Sequence, residues 1–205
     1  MLAAVAALGV LLVRSVRNVA AEPYTLERVG LAGWTVALDP EVGTSGVLLA
    51  LWPPVTMAPP LFKEIFARSG ISLSGPSPVA MPLVLQSEFD QALSRAMAPD
   101  GLVRLARDSG LESIQPTPRC MASRRVSQPG MTREVFFVRF EHSAFGTFRQ
   151  QIAARVGGAG TNVARFEPDG LSPVVIVAAS DANFRVWLPL RGDATEDCIA
   201  PIVVR

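Results

Sequence analysis

The sequence predicts an α+β fold with a single N-terminal membrane-anchoring helix, followed by a largely antiparallel sheet with three to four packed helices. Three observations support this prediction. An apolar run opens the chain, β-rich segments follow one another in groups, and several segments between them have the apolar spacing of helices. Strands that follow one another through short turns favour antiparallel pairing.

The first 21 residues are predicted to form the anchor. Residues 2–13 carry no polar side chain, and Arg14 and Arg17 follow them at positions i and i+3. A helix over residues 2–21 would be about 30 Å long, which matches the hydrocarbon thickness of a bilayer. A secretory signal is the alternative, because small residues precede Glu22 as they precede a cleavage site. The residues expected to form the anchor are Leu2, Val5, Ala7, Gly9, Leu11, Leu12, Val13, Arg14 and Arg17.

Two features of the sequence give opposite predictions for the side of the membrane on which the globular part lies. Arginines after an apolar segment favour a cytoplasmic globular part. The signal-like boundary and a pair of cysteines favour export. We expect the globular part, residues 22–205, to be periplasmic or extracytoplasmic in a bacterium, with the cytoplasmic face as the alternative.

The first half of the globular part is predicted to contain short strands and three helices. The strands are expected at residues 24–29, 34–38, 47–52 and 79–85. The helices are expected at residues 61–69, 87–98 and 101–109. The second helix has a regular apolar stripe after a capping Ser87, and Gly70 and Gly110 end the other two.

Residues 115–130 are predicted to form a long loop, because they contain three prolines and three arginines. Its arginines, Arg119, Arg124 and Arg125, are candidates for a docking patch, and the loop could divide the globular part into two small sub-units. After it we expect a strand at 134–140 and a helix that begins at His142 or Ser143. The remaining strands are expected at residues 162–166, 174–179, 185–190 and 199–204.

Cys120 and Cys198 are the two cysteines of the chain. In an oxidising compartment they could close a loop of 79 residues, counted from 120 to 198, and the chain-entropy model assigns such a closure about 4–5 kcal/mol. The alternative is a pair of unrelated buried thiols, which is expected if the domain is cytoplasmic. Export therefore predicts the disulfide.

The sequence offers little catalytic equipment. His142 is the single histidine, so a histidine-based metal site is excluded, and the cysteines form no CxxC pair. His142 is expected to be a capping or surface residue; the functional alternative makes it the base for Ser143, Ser45 or Cys120. A net charge of +1 provides no basic footprint for nucleic acid. No cofactor is expected.

These observations predict a non-enzymatic accessory subunit that packs against a larger bacterial membrane complex, such as a respiratory, photosynthetic, transport or secretion complex. Low charge and three stiff proline-rich segments, residues 53–60, 76–82 and 116–129, support this hypothesis. One alternative is an exported domain that binds a small amphipathic ligand, lipid or pigment in an apolar pocket. Another is a periplasmic hydrolase that uses His142.

Overall fold

The structure, a computed structural model, describes residues 22–128, 130–157, 166–190 and 197–205. The strands in these residues are β1 (Tyr24–Leu26), β2 (Thr35–Leu38), β3 (Val47–Trp52), β4 (Met81–Leu85), β5 (Thr117–Gln128), β6 (Met131–Glu141), β7 (Val174–Ala179) and β8 (Cys198–Val204). The helices are α1 (Val42–Ser45), α2 (Ala58–Ser69), α3 (Gln86–Glu88), α4 (Pro99–Asp108) and α5 (Ser143–Val156). A π-helical turn, Phe89–Leu93, continues α3, and short 3-10 helices lie at Arg28–Leu31, Pro168–Gly170 and Phe184–Trp187.

The larger sheet has five described strands in the order β1-β8-β5-β6-β7. The long β5–β6 hairpin forms its centre. The pairing of β1 with β8 is parallel, and the pairings among β8, β5, β6 and β7 are antiparallel. This sheet is curled, and α2 contacts both β1 and β7, the strands at its two ends. The parallel pairing of β1 with β8 brings the two ends of the described chain together, and Arg28 N–H donates to Arg205 C=O over 2.9 Å.

The smaller sheet has the order β2-β3-β4, and its two edges are hydrogen-bonded by arginine–glutamate pairs. At β2, Val36 N–H donates to Glu112 Oε1 over 2.7 Å, and Arg107 Nη2 donates to Val36 C=O over 3.1 Å. Arg107 Nε also donates to Glu112 over 3.3 Å. We call Arg107 and Glu112 the outer edge pair. Its side chains occupy the place of a neighbouring strand.

The edge of β4 is satisfied in the same way. Leu85 N–H donates to Glu88 Oε2 over 2.9 Å, and Arg149 Nη1 donates to Leu83 C=O over 2.9 Å. Arg149 Nη2 donates to Glu88 Oε1 over 2.7 Å. We call Arg149 and Glu88 the inner edge pair. Both edges thus combine an arginine that donates to a strand carbonyl with a glutamate that accepts from a strand amide.

Replacing Glu112 by alanine tests the outer edge pair. The change leaves Val36 N–H without its acceptor, so we expect the free energy of unfolding to fall by about 1 kcal/mol. The conservative variant Glu112→Gln keeps a carbonyl acceptor, so its free energy of unfolding should fall by less. Denaturant unfolding measures both variants, and equal losses would show that hydrogen bonding to Val36 contributes nothing.

The larger of two clusters of buried residues joins the two sheets and the helices. It contains residues from both sides of the 115–130 segment, among them Leu51, Met81, Val138 and Phe148. That segment runs through the fold as β5, and a division of the globular part into two sub-units near it stays a prediction.

The predicted fold class is wrong as a whole, although the fold is α+β. In the described residues, five helices and two sheets replace the predicted single sheet with three to four helices. No helix in this part of the chain is long and apolar enough to cross a membrane. The predicted anchor, with Leu2, Val5, Ala7, Gly9, Leu11, Leu12, Val13, Arg14 and Arg17, lies outside the described residues.

The predicted loop at 115–130 is also wrong, because most of it is strand β5. The strand tolerates Pro118 at a register shift before Cys120, which is where a proline can interrupt a ladder. Its arginines pair with acids instead of facing water alone. The predicted strand at 185–190 overlaps the 3-10 helix Phe184–Trp187, and most of the predicted strand at 162–166 lies outside the described residues.

Candidate functional site

A cavity of about 300 Å³ lies where β4 of the smaller sheet approaches β7 of the larger sheet. We call it the intersheet cavity. Residues from five separate parts of the chain line it. They are Asp39, Pro40, Glu41, Thr44, Ser45, Val47, Trp52, Pro76, Ser77, Pro78, Ala80, Pro82, Val174, Ile176, Ala182, Asn183, Phe184, Arg185 and Leu188.

The walls of the intersheet cavity are mostly apolar. Val174 and Ile176 come from β7 and are buried in the sheet, and Phe184 and Leu188 cover them from the 3-10 segment. The opposite wall includes the proline-rich segment 76–82, whose fixed backbone angles hold an open shape without regular structure. Concave apolar surfaces with a few polar groups are typical of small-molecule sites.

Trp52 is placed by a hydrogen bond to the smaller sheet. Its indole Nε1–H donates to Ala37 C=O over 3.3 Å, two residues before Asp39. The indole is half-buried and lines the cavity together with Asp39. An aromatic surface and a carboxylate therefore lie along the same part of the wall.

Three charged residues line the cavity: Asp39 is half-buried, and Glu41 and Arg185 are exposed. We call these three residues the rim. Asp39 Oδ1 accepts from Glu41 N–H over 2.8 Å, which fixes the turn that carries both carboxylates. Arg185 lies across α1, with Nη1 donating weakly to Gly43 C=O over 3.4 Å. A Cβ at Gly46 would come within 3.1 Å of Arg185 Nε, so glycine leaves the space that this side chain occupies. Among the described residues, none of these three charged groups forms an ion pair.

The predicted disulfide between Cys120 and Cys198 is present in the structure. It joins β5 to the beginning of β8, with the two Cα atoms 5.8 Å apart. Cys120 is buried and Cys198 is exposed. The bond lies outside the intersheet cavity and holds the C-terminal strand to the central hairpin.

Each arginine of the predicted docking patch forms an ion pair on or beside β5. Arg119 lies 2.8 Å from Glu141, Arg124 lies 2.6 Å from Asp197, and Arg125 lies 2.8 Å from Glu134. Their charges are therefore balanced within the sheet. Their docking role stays a prediction.

His142 is buried, unlike the capping or surface residue that we predicted. Its Nε2 lies 3.1 Å from Leu111 C=O, and Nδ1 has no hydrogen-bond partner within the described part of the chain. It occupies the N-cap position of α5, but its side chain does not cap the helix. Of the candidate nucleophiles, Cys120 is in the disulfide and Ser45 Oγ accepts from Val47 N–H over 3.0 Å. Among the residues described, no hydrogen bond joins His142 to a nucleophile, and the hydrolase stays a prediction.

The stability of the domain should depend on the protonation of His142. Burial lowers the pKa of this imidazole below its ordinary value of 6.5. Below pH 6.5 the unfolded chain therefore binds the proton more readily, so stability is complete above that pH and is lost as the pH falls through the lower, folded pKa. Unfolding between about pH 8 and pH 5 should show a steeper acid loss for the wild type than for His142→Gln. Parallel curves would contradict this expectation.

The sequence did not identify two features of this region. Arg149 was not singled out, although it falls at i+4 from Phe145 within the apolar stripe of α5, which marks a buried charge that needs partners. The intersheet cavity has no local signature in the sequence, because its lining comes from five separate segments. No protein-family model, curated protein or solved structure matches the chain, so the geometry of these residues carries the functional argument.

Proposed function

We propose that the chain is a non-enzymatic binding domain that takes a small amphipathic ligand into the intersheet cavity. The observation that carries this proposal is the combination of a 300 Å³ volume with mostly apolar walls and a charged rim. The apolar part of a ligand would lie against Val174, Ile176 and Leu188, and its polar end would face the rim. Among the alternatives from the sequence, this one has a site with suitable geometry.

Binding can be tested with 1-octanol as a probe that needs only an apolar site. Isothermal titration of the full chain should show saturable binding. Ala80→Phe would place a ring in the cavity, because Ala80 is half-buried in its wall, and should weaken octanol binding at least about tenfold. Ala154→Phe adds the same ring at an exposed position of α5 and should leave binding unchanged. Failure of octanol to bind, or equal effects of the two variants, would contradict the proposal.

The disulfide supports a location in an oxidising compartment. Bonds of this kind persist in exported proteins and are rare in the cytosol. An extracytoplasmic location is therefore part of the proposal. Mass analysis of the chain from its native cells, with free thiols blocked at lysis, should find both cysteines unreactive.

Contact with a protein partner is the second candidate function, and it corresponds to the predicted accessory subunit. Phe62 and Phe66 stack on α2 with ring centroids 6.5 Å apart, and Phe66 remains 53% exposed. An aromatic pair with one exposed ring is found at interaction surfaces, where aromatic residues are enriched. Phe66→Ser should release the full chain from a native assembly, as measured by its elution from a sizing column, whereas Ala154→Ser should not.

A further inference from the structure

We propose that the intersheet cavity selects a ligand with a positively charged head, namely an ammonium group on an apolar body. This inference rests on the proposed function, because it names the chemical class of the same ligand. It depends on three features of the cavity lining: two carboxylates that have no ion-pair partner among the described residues, two aromatic rings, and an arginine that donates one weak hydrogen bond to the backbone.

The carboxylates give the cavity a negative balance. Asp39 and Glu41 contribute two negative charges to the lining, and Arg185 contributes one positive charge. Asp39 uses Oδ1 to accept from Glu41 N–H, so its second oxygen keeps its capacity to accept. Glu41 is exposed at the mouth, where it can meet a ligand that enters. An ammonium group would supply the charge and the donors that these oxygens lack.

The aromatic walls favour the same head group. Trp52 and Phe184 both line the cavity, and the faces of aromatic rings attract cations, with tryptophan the strongest. Carboxylates and aromatic faces together form the kind of surface that binds methylated and primary ammonium groups. A carboxylate or sulfate head would instead be repelled by Asp39 and Glu41.

Arg185 does not cancel this preference. Its guanidinium is held over α1, where it donates to Gly43 C=O, and its aliphatic part fills the space beside Gly46. The Gly43 carbonyl therefore engages one donor of Arg185, whose single positive charge offsets only one of the two negative charges of the lining. Replacing Arg185 by a neutral residue should therefore strengthen the binding of a cation.

Three probes with the same eight-carbon chain test the head group: octyltrimethylammonium, 1-octanol and octanoate. Isothermal titration of the full chain at low salt should give the tightest binding for the ammonium probe, about three- to tenfold tighter than octanol, and the weakest for octanoate. Asp39→Asn with Glu41→Gln should bring the ammonium and octanol affinities together while octanol binding stays the same. The control pair, Glu27→Gln with Asp108→Asn, changes exposed acids outside the lining and should leave every ratio unchanged.

The outcomes separate the two proposals. If no probe binds, the proposed function fails. If all three bind with equal affinity, the ligand site stands and the selection of a cation is overturned. If octanoate binds most tightly and Arg185→Gln removes that preference, the head group is an anion and Arg185 is its partner, which also overturns the inference. Added salt should reduce the ammonium preference and leave octanol unchanged.

Discussion

Replacing Arg149 by methionine is expected to lower the free energy of unfolding by about 3–5 kcal/mol. The arginine side chain is fully buried, and its donors reach Leu83, Glu167 and Pro168 carbonyls as well as the Glu88 carboxylate. Methionine fills much of the volume but donates nothing. Three carbonyls and a mostly buried carboxylate would then lose their partner, and an unpaired buried charge is the costliest of these losses.

The surroundings of the inner edge pair are also closely packed. A Cβ at Gly170 would lie 3.3 Å from Arg149 Nη2 and 3.4 Å from Glu88 Oε1, so even one added carbon there would crowd the inner edge pair. Arg149→Lys keeps the charge but cannot reproduce five donors in a plane, and we expect it to recover only part of the loss.

Denaturant unfolding of the variants measures this effect. Arg155→Met lies on the same helix at an exposed position and serves as the matched control, with an expected change of less than about 0.5 kcal/mol. If Arg149→Met and Arg155→Met lowered the free energy of unfolding equally, the hydrogen bonds of Arg149 would make no net contribution to stability. A second variant, Glu88→Gln, distinguishes charge from shape, because it keeps an acceptor for Leu85 N–H and removes the negative partner.

Loss of the disulfide is the other large effect. Cys120→Ala with Cys198→Ser should lower the free energy of unfolding by about 4–5 kcal/mol, since the bond closes a long loop in the unfolded chain. Alanine suits the buried position, and serine suits the exposed one. The same loss should appear when the wild type is unfolded in a thiol reductant.

The variant without cysteines provides the control for that reductant. Its stability should not change when the reductant is added, whereas that of the wild type should fall to nearly the same value. A wild type that keeps its stability after complete reduction, verified by thiol titration, would contradict the expected role of the bond. Its β5–β8 hydrogen bonds would then be sufficient to hold the C-terminal strand.

Elements with strong local patterns were predictable from the sequence. The helix expected to begin at His142 or Ser143 is confirmed as α5, and the strands expected at residues 47–52 and 174–179 are confirmed as β3 and β7. The helix expected at residues 87–98 is shorter in the structure. It begins at Gln86 as α3 and continues as the π-helical turn that ends at Leu93. Here the Glu88 side chain, not that of Ser87, accepts from the Leu85 amide at the start of the helix.

Strand β5 was not predictable from its own residues. Prolines, serines and arginines are typical of a loop, but each arginine has an acid on a neighbouring element, and Met121 and Ala122 enter the core. Those partners lie on other parts of the chain, so tertiary pairing overrides the local preference. The intersheet cavity has the same origin, because its five segments are separate in sequence and are brought together by the packing of the two sheets.

The two edge pairs differ in how firmly they hold their strands, and this difference decides where the fold opens first. The side chains of Arg107 and Glu112 are 54% and 32% exposed, whereas those of Arg149 and Glu88 are 0% and 18% exposed. Water can therefore replace the outer pair without unfolding the core, and the Val36 amide should exchange its hydrogen much faster than the Leu85 amide. Salt that screens the attraction between Arg107 and Glu112 would expose the edge of β2 while the edge of β4 stays covered. Of the two edges of the smaller sheet, β2 is therefore the one at which we expect strand exchange or fibril growth to begin.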